Sequence, residues 1–325
     1  MASEDSPIPI DQNYVDGIDD DDDYSFSSGQ TIATSVTAYR YEHGRRYHAF
    51  RDGAYYMPND EQHQDGEAIC HHMYIVTFDD KLHLAPLDNP QRVLDVGTGT
   101  GTWAIDMGDR YPGADVLGID LSPVQPRQLP FNVRFEVDDC TSEWTYPVDH
   151  FDFIHMRGLN GGVSDWPTLY NSCLNHLEPG GWLEHVEFST FIYPAEPREQ
   201  HDPAIKEILG ILPELQQVWG KSLNQEKEMR DQIKEAGFVE VQERIFKWPL
   251  GPWSSDPKLK DLGRWNLLSW AVSFEGWVQA LVTRFLGWPP DRVTQLQKDI
   301  ERALKDRKNQ YYQEVRVVMG KKPAA

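Results

Sequence analysis

Residues 93–108, VLDVGTGTGTWAIDMG, constrain the fold of this chain more than any other stretch. A β-branched run leads through Asp95 to three alternating glycines, Gly97, Gly99 and Gly101, and an amphipathic run follows. Strand, bare turn and helix form the arrangement in which glycines let a ligand touch the backbone and a helix N-terminus offers N–H donors. Such a turn needs a sheet behind it. Short apolar runs at RVLDV (92–96), DVLGID (115–120), NVRFEV (132–137), FDFIHM (151–156) and GWLEHVEF (181–188) supply strands. Helical stretches at 101–110 and 165–177 alternate with them, which implies an α/β domain with a parallel sheet covered on both faces.

A helix at 224–236 ending at Gly237, the strand FVEVQERIFKW and a last strand YQEVRVVMG follow. Between those strands lies a tryptophan-rich helical insert, 250–309. Upstream, EQHQDGEAICHHMYIVTFDDKLHLAPL carries Ile69, Met73, Val76 and Leu82 at near-helical spacing, with Pro86 as the stop. The expected organisation is an acidic tail (1–33), a helical extension or cap (34–90), a cofactor-binding core (91–249), the insert (250–309), and the last core strand with its tail (310–325).

Charge narrows the partners. The net charge is −21, and residues 1–30 hold nine acids and no base. A segment so charged and so poor in apolar residues cannot offset the entropy of ordering, so disorder is expected, with either a solubilising or a partner-docking role. The remainder is also acidic and has no dense basic stripe, which argues against a nucleic-acid partner. No apolar run is long enough to span a membrane, and the N-terminus lacks the pattern of a secretory signal. Cys70, Cys140 and Cys173 have no CxxC spacing and fit a reducing compartment. A cytoplasmic or nuclear protein is expected.

Two cofactor classes compete for the glycine turn. A dinucleotide fold expects a small residue at the sixth position from Gly97, where this chain has Thr102. An S-adenosylmethionine site has no pyrophosphate to cradle and tolerates the alternating form preceded by an acid. Asp95 would lie near the methionyl ammonium, with Thr98 inside the loop. Asp120, followed by Leu121, ends the second strand, where a carboxylate accepts ribose hydroxyls. Asp138, Asp139 and Cys140 end the third strand, where Asp139 can accept the adenine amino group.

These segments, with SDWPTLY and LEPGGWLEHVEF, resemble the class I methyltransferases and in particular the fungal LaeA-like branch. The upstream YRYEHGRRYHAFRDGAYYMPND and downstream LGPWSSDPKLKDLGRWNLL extend the resemblance over residues 37–319. It implies a Rossmann-like seven-stranded sheet with an antiparallel last strand and bound S-adenosylmethionine. It also implies Asp95, Gly97 and Gly99 at the methionyl end, Asp120 at the ribose, Asp139 with Cys140 at the adenine, and His155 with Met156 bordering the sulfonium.

Methyl transfer from a sulfonium is an in-line displacement that positioning alone can carry, and a base is needed only when the acceptor still holds its proton. His155 and His185 are the candidate bases, although each reads first as a buried, hydrogen-bonded structural histidine, with Glu184 and Glu187 on the strand of His185. The histidines of CHHMY lack metal-ligand spacing, so no metal is expected. Tyr47, His48, Tyr55 and Tyr56 read as a cap or as surface packing. Trp265, Trp270, Phe274 and Trp277 read as core or as an apolar acceptor pocket. Three functions follow: methylation of a small secondary metabolite, regulation of secondary metabolism through protein partners, and non-methylating chemistry on the same fold.

Overall fold

The computed structural model describes residues 7–10, 39–197 and 199–324. The extension begins with a hairpin, β1 (Arg40–Glu42) and β2 (Arg45–Tyr47), turned at His43 and Gly44 with φ of 51° and 82°. Positive φ at both turn residues matches the twist of the flanking strands. Helix α1 (Glu61–Thr77) follows, capped by Asp60, whose carboxylate accepts from the His63 backbone N–H. Arg45 donates twice to the same carboxylate, at 2.6 and 2.8 Å, and so fastens hairpin to helix.

The expected stop of this helix at Pro86 is corrected: it ends at Thr77 because Asp79 and Asp80 adopt left-handed φ of 55° and 61°. Leu82 therefore lies outside it. A second correction concerns residues 7–10, placed above in a structureless tail. Ile8 is buried against Trp253, and Ile10 bridges Ser254. The rest of the acidic run lies outside the described residues.

The core continues with β3 (Arg92–Val96), α2 (Thr102–Arg110), β4 (Asp115–Asp120), β5 (Val133–Val137), β6 (Phe151–Arg157), α3 (Trp166–His176) and β7 (Leu177–Phe188). Then come β8 (Tyr193–Pro194), α4 (Pro203–Trp219), a 3-10 turn (Gln225–Lys227), α5 (Met229–Glu235) and β9 (Val239–Leu250). Helices α6 (Pro257–Phe285) and α7 (Pro290–Lys305) form the insert, and β10 (Tyr311–Lys321) closes the sheet. Helix α4 had no counterpart in the sequence reading.

Strand order is β5–β4–β3–β6–β7–β10–β9, parallel except for β10, which runs antiparallel to both β7 and β9. The two-residue β8 extends the β7 side of β10. Side-chain alternation divides the core. Val93, Phe153 and Val186 face α1 and α2 with Trp103 and Met107. Leu94, Ile154, Met156 and Leu183 face α3 and α5. A further core joins α4, α6 and α7. Helices α1 and α6 cross closely at Gly66, where a Cβ would meet Ser273 Oγ at 2.2 Å.

Candidate functional site

The glycine turn lies at the C-terminal ends of the parallel strands, where open α/β sheets bind ligands. Gly97, Gly99 and Gly101 all have positive φ, of 70°, 56° and 79°. The backbone N–H groups of Gly97 and Thr98 both donate to Ile119 O at 2.9 Å, tying the loop to β4. A Cβ on Gly97 would stand 2.3 Å from Leu159, and one on Gly99 2.7 Å from Glu67 Oε1. The loop is bare because nothing larger fits.

Asp95 bonds His155 Nδ1 at 2.8 Å and accepts from Thr98 Oγ1 at 2.6 Å. His155 stacks on Trp103, with centroids 3.7 Å apart and planes 7° apart. Burial lowers the His155 imidazole to about 4 despite the Asp95 carboxylate, so it is neutral at physiological pH. Asp120 accepts from the N–H groups of Gly99 (2.9 Å) and Ser122 (2.8 Å), yet burial raises its carboxyl to about 6. Asp139 accepts from Thr141 and approaches Arg51 at 3.6 Å. Burial pushes the Cys140 thiol up to about 12.

Two adjoining cavities bring most of the expected residues together. One is lined by Asp95, Gly97, Thr98, Gly99 and His155. The other is lined by Gly97, Gly99, Asp120, Leu121, Asp138, Asp139 and Cys140. Gly101 instead caps α2 over the Phe135 ring and lines neither. Met156 is corrected: side chains alternate along β6, so it points into the opposite core and borders no cavity wall here. His185, in register with Met156, faces the same way. It is fully buried and stacked on Trp166, both ring nitrogens are engaged by Tyr170 and Glu187, and it lines neither cavity.

Sequence reasoning missed Glu67, His71 and Arg157. Glu67 accepts from Thr100 N–H at 3.2 Å, and Arg157 donates to His71 at 3.1 Å while lying over the Tyr74 ring. The spacing of His63, Glu67, His71 and Tyr74 on α1 marks one helix face, which in sequence reads as a solvated surface. Of the cap aromatics, Tyr55 lines both cavities, whereas Tyr47 is core.

A third cavity is apolar. Trp270, Phe274 and Trp277 line it with Ile208, Leu212 and Leu281, and it adjoins the first at Met57, Gly158, Phe188 and Trp277. Trp265 is not part of it and packs on His72 instead.

The lining suits S-adenosylmethionine. Five carboxylates (Glu67, Asp95, Asp120, Asp138, Asp139) face two permanent cations, Arg157 and Lys221. That balance favours a ligand with sulfonium and ammonium charges and opposes a diphosphate. A family model described as a methyltransferase domain matches residues 69–243. The chain belongs to that family. Among curated relatives, the methyltransferase pytC of Aspergillus terreus is 38% identical over 91% of this chain and 92% of its own. The secondary metabolism regulator LAE1 of Cochliobolus heterostrophus is 37% identical over 91% and 99%. The protein-methionine methyltransferase laeA of Emericella nidulans is 34% identical over 87% and 76%. No described helix of this methyltransferase is long and apolar enough to cross a membrane.

Proposed function

We propose that this methyltransferase transfers the methyl group of S-adenosylmethionine to an apolar small molecule of secondary metabolism. The cofactor is S-adenosylmethionine, which supplies a methyl carbon on a positively charged leaving group. Asp95 and Glu67 would hold the methionyl ammonium, Arg157 the methionyl carboxylate, Asp120 the ribose hydroxyls, and Asp139 beside Cys140 the adenine. Neutral His155 holds Asp95 in place at 2.8 Å and would border the reacting end of the cofactor. The carrying observation is the apolar cavity that meets the cofactor cavity at Gly158. It offers an acceptor an apolar seat next to the donor, and positioning of this kind can supply roughly 7–11 kcal/mol of barrier lowering in well-oriented cases.

The test is calorimetric titration with S-adenosylmethionine, followed by incubation of the protein with labelled cofactor and extract from a strain lacking it. Saturable binding and a labelled small molecule are expected. Absence of binding sinks the reading. The names of the LAE1 and laeA relatives, a secondary metabolism regulator and a protein-methionine methyltransferase, favour a second reading in which the protein regulates secondary metabolism, and label found in protein would support it instead.

A further inference from the structure

One acid in the apolar cavity is unaccounted for by cofactor binding. Glu187 lines it, is 0% exposed, and has a strongly asymmetric carboxylate. Oε1 accepts from Leu159 N–H at 2.6 Å and from His185 Nε2 at 3.0 Å, whereas Oε2 has no partner. Three other polar side chains of the lining are bonded within the protein. Asn160 bonds Phe188 O and Gln225 N–H, Thr190 donates to Leu223 O, and Gln313 bonds Ser189 O and Trp270 Nε1. A buried carboxylate oxygen without a donor is costly, so the cavity is built for an occupant that brings one.

The groups behind Glu187 fix the position of its carboxylate. Gln225 Nε2 can only donate, and does so to the Tyr170 hydroxyl at 3.1 Å. The Tyr170 hydroxyl is paired with His185 Nδ1 at 2.9 Å, and His185 Nε2 faces Glu187 Oε1 at 3.0 Å. Every bond of this chain runs toward Oε1 and none reaches Oε2. An ammonium would bring three donors to one free acceptor, whereas a hydroxyl brings one.

We propose that Glu187 is the general base for methylation of a hydroxyl on the apolar acceptor, with His185 and Tyr170 as its positioning residues. In that step the acceptor oxygen bonds the methyl carbon and the carbon–sulfur bond breaks with its electron pair left on sulfur. Oε2 takes the hydroxyl proton and later returns it to water. This proposal rests on the small-molecule reading above.

The experiment titrates the full-length protein, without cofactor, with 2-naphthol, naphthalene and 2-naphthylmethylamine. It is repeated for Glu187→Gln and Tyr170→Phe, and S-adenosylmethionine binding is measured on every sample. The affinity ratio of 2-naphthol to naphthalene is expected to fall about tenfold in Glu187→Gln, the difference between a charged and a neutral acceptor. Tyr170→Phe should lower it about threefold while naphthalene binding stays constant. An unchanged ratio in a Glu187→Gln protein that still binds S-adenosylmethionine overturns the base. Tightest binding of the amine, or no binding of any probe, does so as well. If Glu187→Gln does not fold, the Tyr170→Phe ratio decides alone. A wild-type protein that fails to bind S-adenosylmethionine defeats the broader reading whatever the naphthol ratio is.

Discussion

The cofactor cavities and the apolar cavity meet at Gly158 but are made in opposite ways. The first two share the short stretch of residues 97–99 as a common wall, joined by acids at neighbouring strand ends and by Glu67 of α1. The apolar cavity is assembled from Met57 of the cap, Glu187 and Phe188 at the end of β7, α4, and α6. It is shaped by side chains that are far apart in sequence. Backbone recognition is thus encoded locally, and acceptor shape is encoded by packing between distant helices, so the second can change with little effect on the first.

Substitutions on either side should expose that independence. The largest effect belongs to Phe274→Ala, which empties a buried ring position and should cost about 3–5 kcal/mol by chemical denaturation. S-adenosylmethionine affinity should stay within about twofold, and a larger loss would show that the two regions are coupled. Asp120→Ala acts on the other side. If Asp120 accepts both ribose hydroxyls as proposed, its loss should weaken S-adenosylmethionine by about a hundredfold in calorimetry, roughly 3 kcal/mol, with 2-naphthol binding unchanged.

Titration separates two cofactor-side groups. His155 lies below its ordinary value when folded, at about 4, so its contribution is full above pH 6.5 and is lost as pH falls toward 4. Asp120 lies above its ordinary value, at about 6, so its contribution runs the other way, growing as pH falls from 6 toward 4. Glu184 and Glu226, each raised to about 7 by burial, act in the same direction as Asp120, so the informative quantity is the difference between variant and wild type. Asp120→Asn should become less stable relative to wild type by up to about 3 kcal/mol as pH falls from 6 to 4. A difference that does not change with pH would refute the raised carboxyl of Asp120.

Gly97→Ala forces a Cβ toward Leu159 at a φ of 70°. It should cost about 1–3 kcal/mol and weaken cofactor more than naphthol. Arg51→Ala removes exposed contacts, to Asp139, to Ser142 Oγ and to the Phe50 ring. It should change stability by less than about 0.5 kcal/mol, measured as a shift in Tm.

Legibility in sequence follows the same division. Strand ends and glycines announce themselves through local spacing, so Asp95, Gly97, Gly99, Asp120 and Asp139 were readable before any coordinates. The two-residue period of β6 was equally available, and applied to His155 it would have turned Met156 to the far side of the sheet. His185 reads from sequence as either a base or a structural histidine, because the ring of Trp166 that covers it comes from a separate helix. Glu67 and Arg157 meet only because α1 folds across the strand ends. The hairpin at His43–Gly44 and helix α4 were missed for different reasons. The first is only three residues per strand, and the second carries an internal Pro213 that breaks a helical reading although the fold tolerates it.

Strand β10 gives the sheet an unusual schedule. Residues 311–321 fill a position inside the sheet, between β7 and β9, and not at its rim. While a ribosome is still adding them, β7 and β9 both wait with a vacant hydrogen-bonding edge, and the helices packed across that gap have no floor. A messenger truncated before residue 311 would therefore yield a protein lacking an interior strand, with two sticky edges open to self-association.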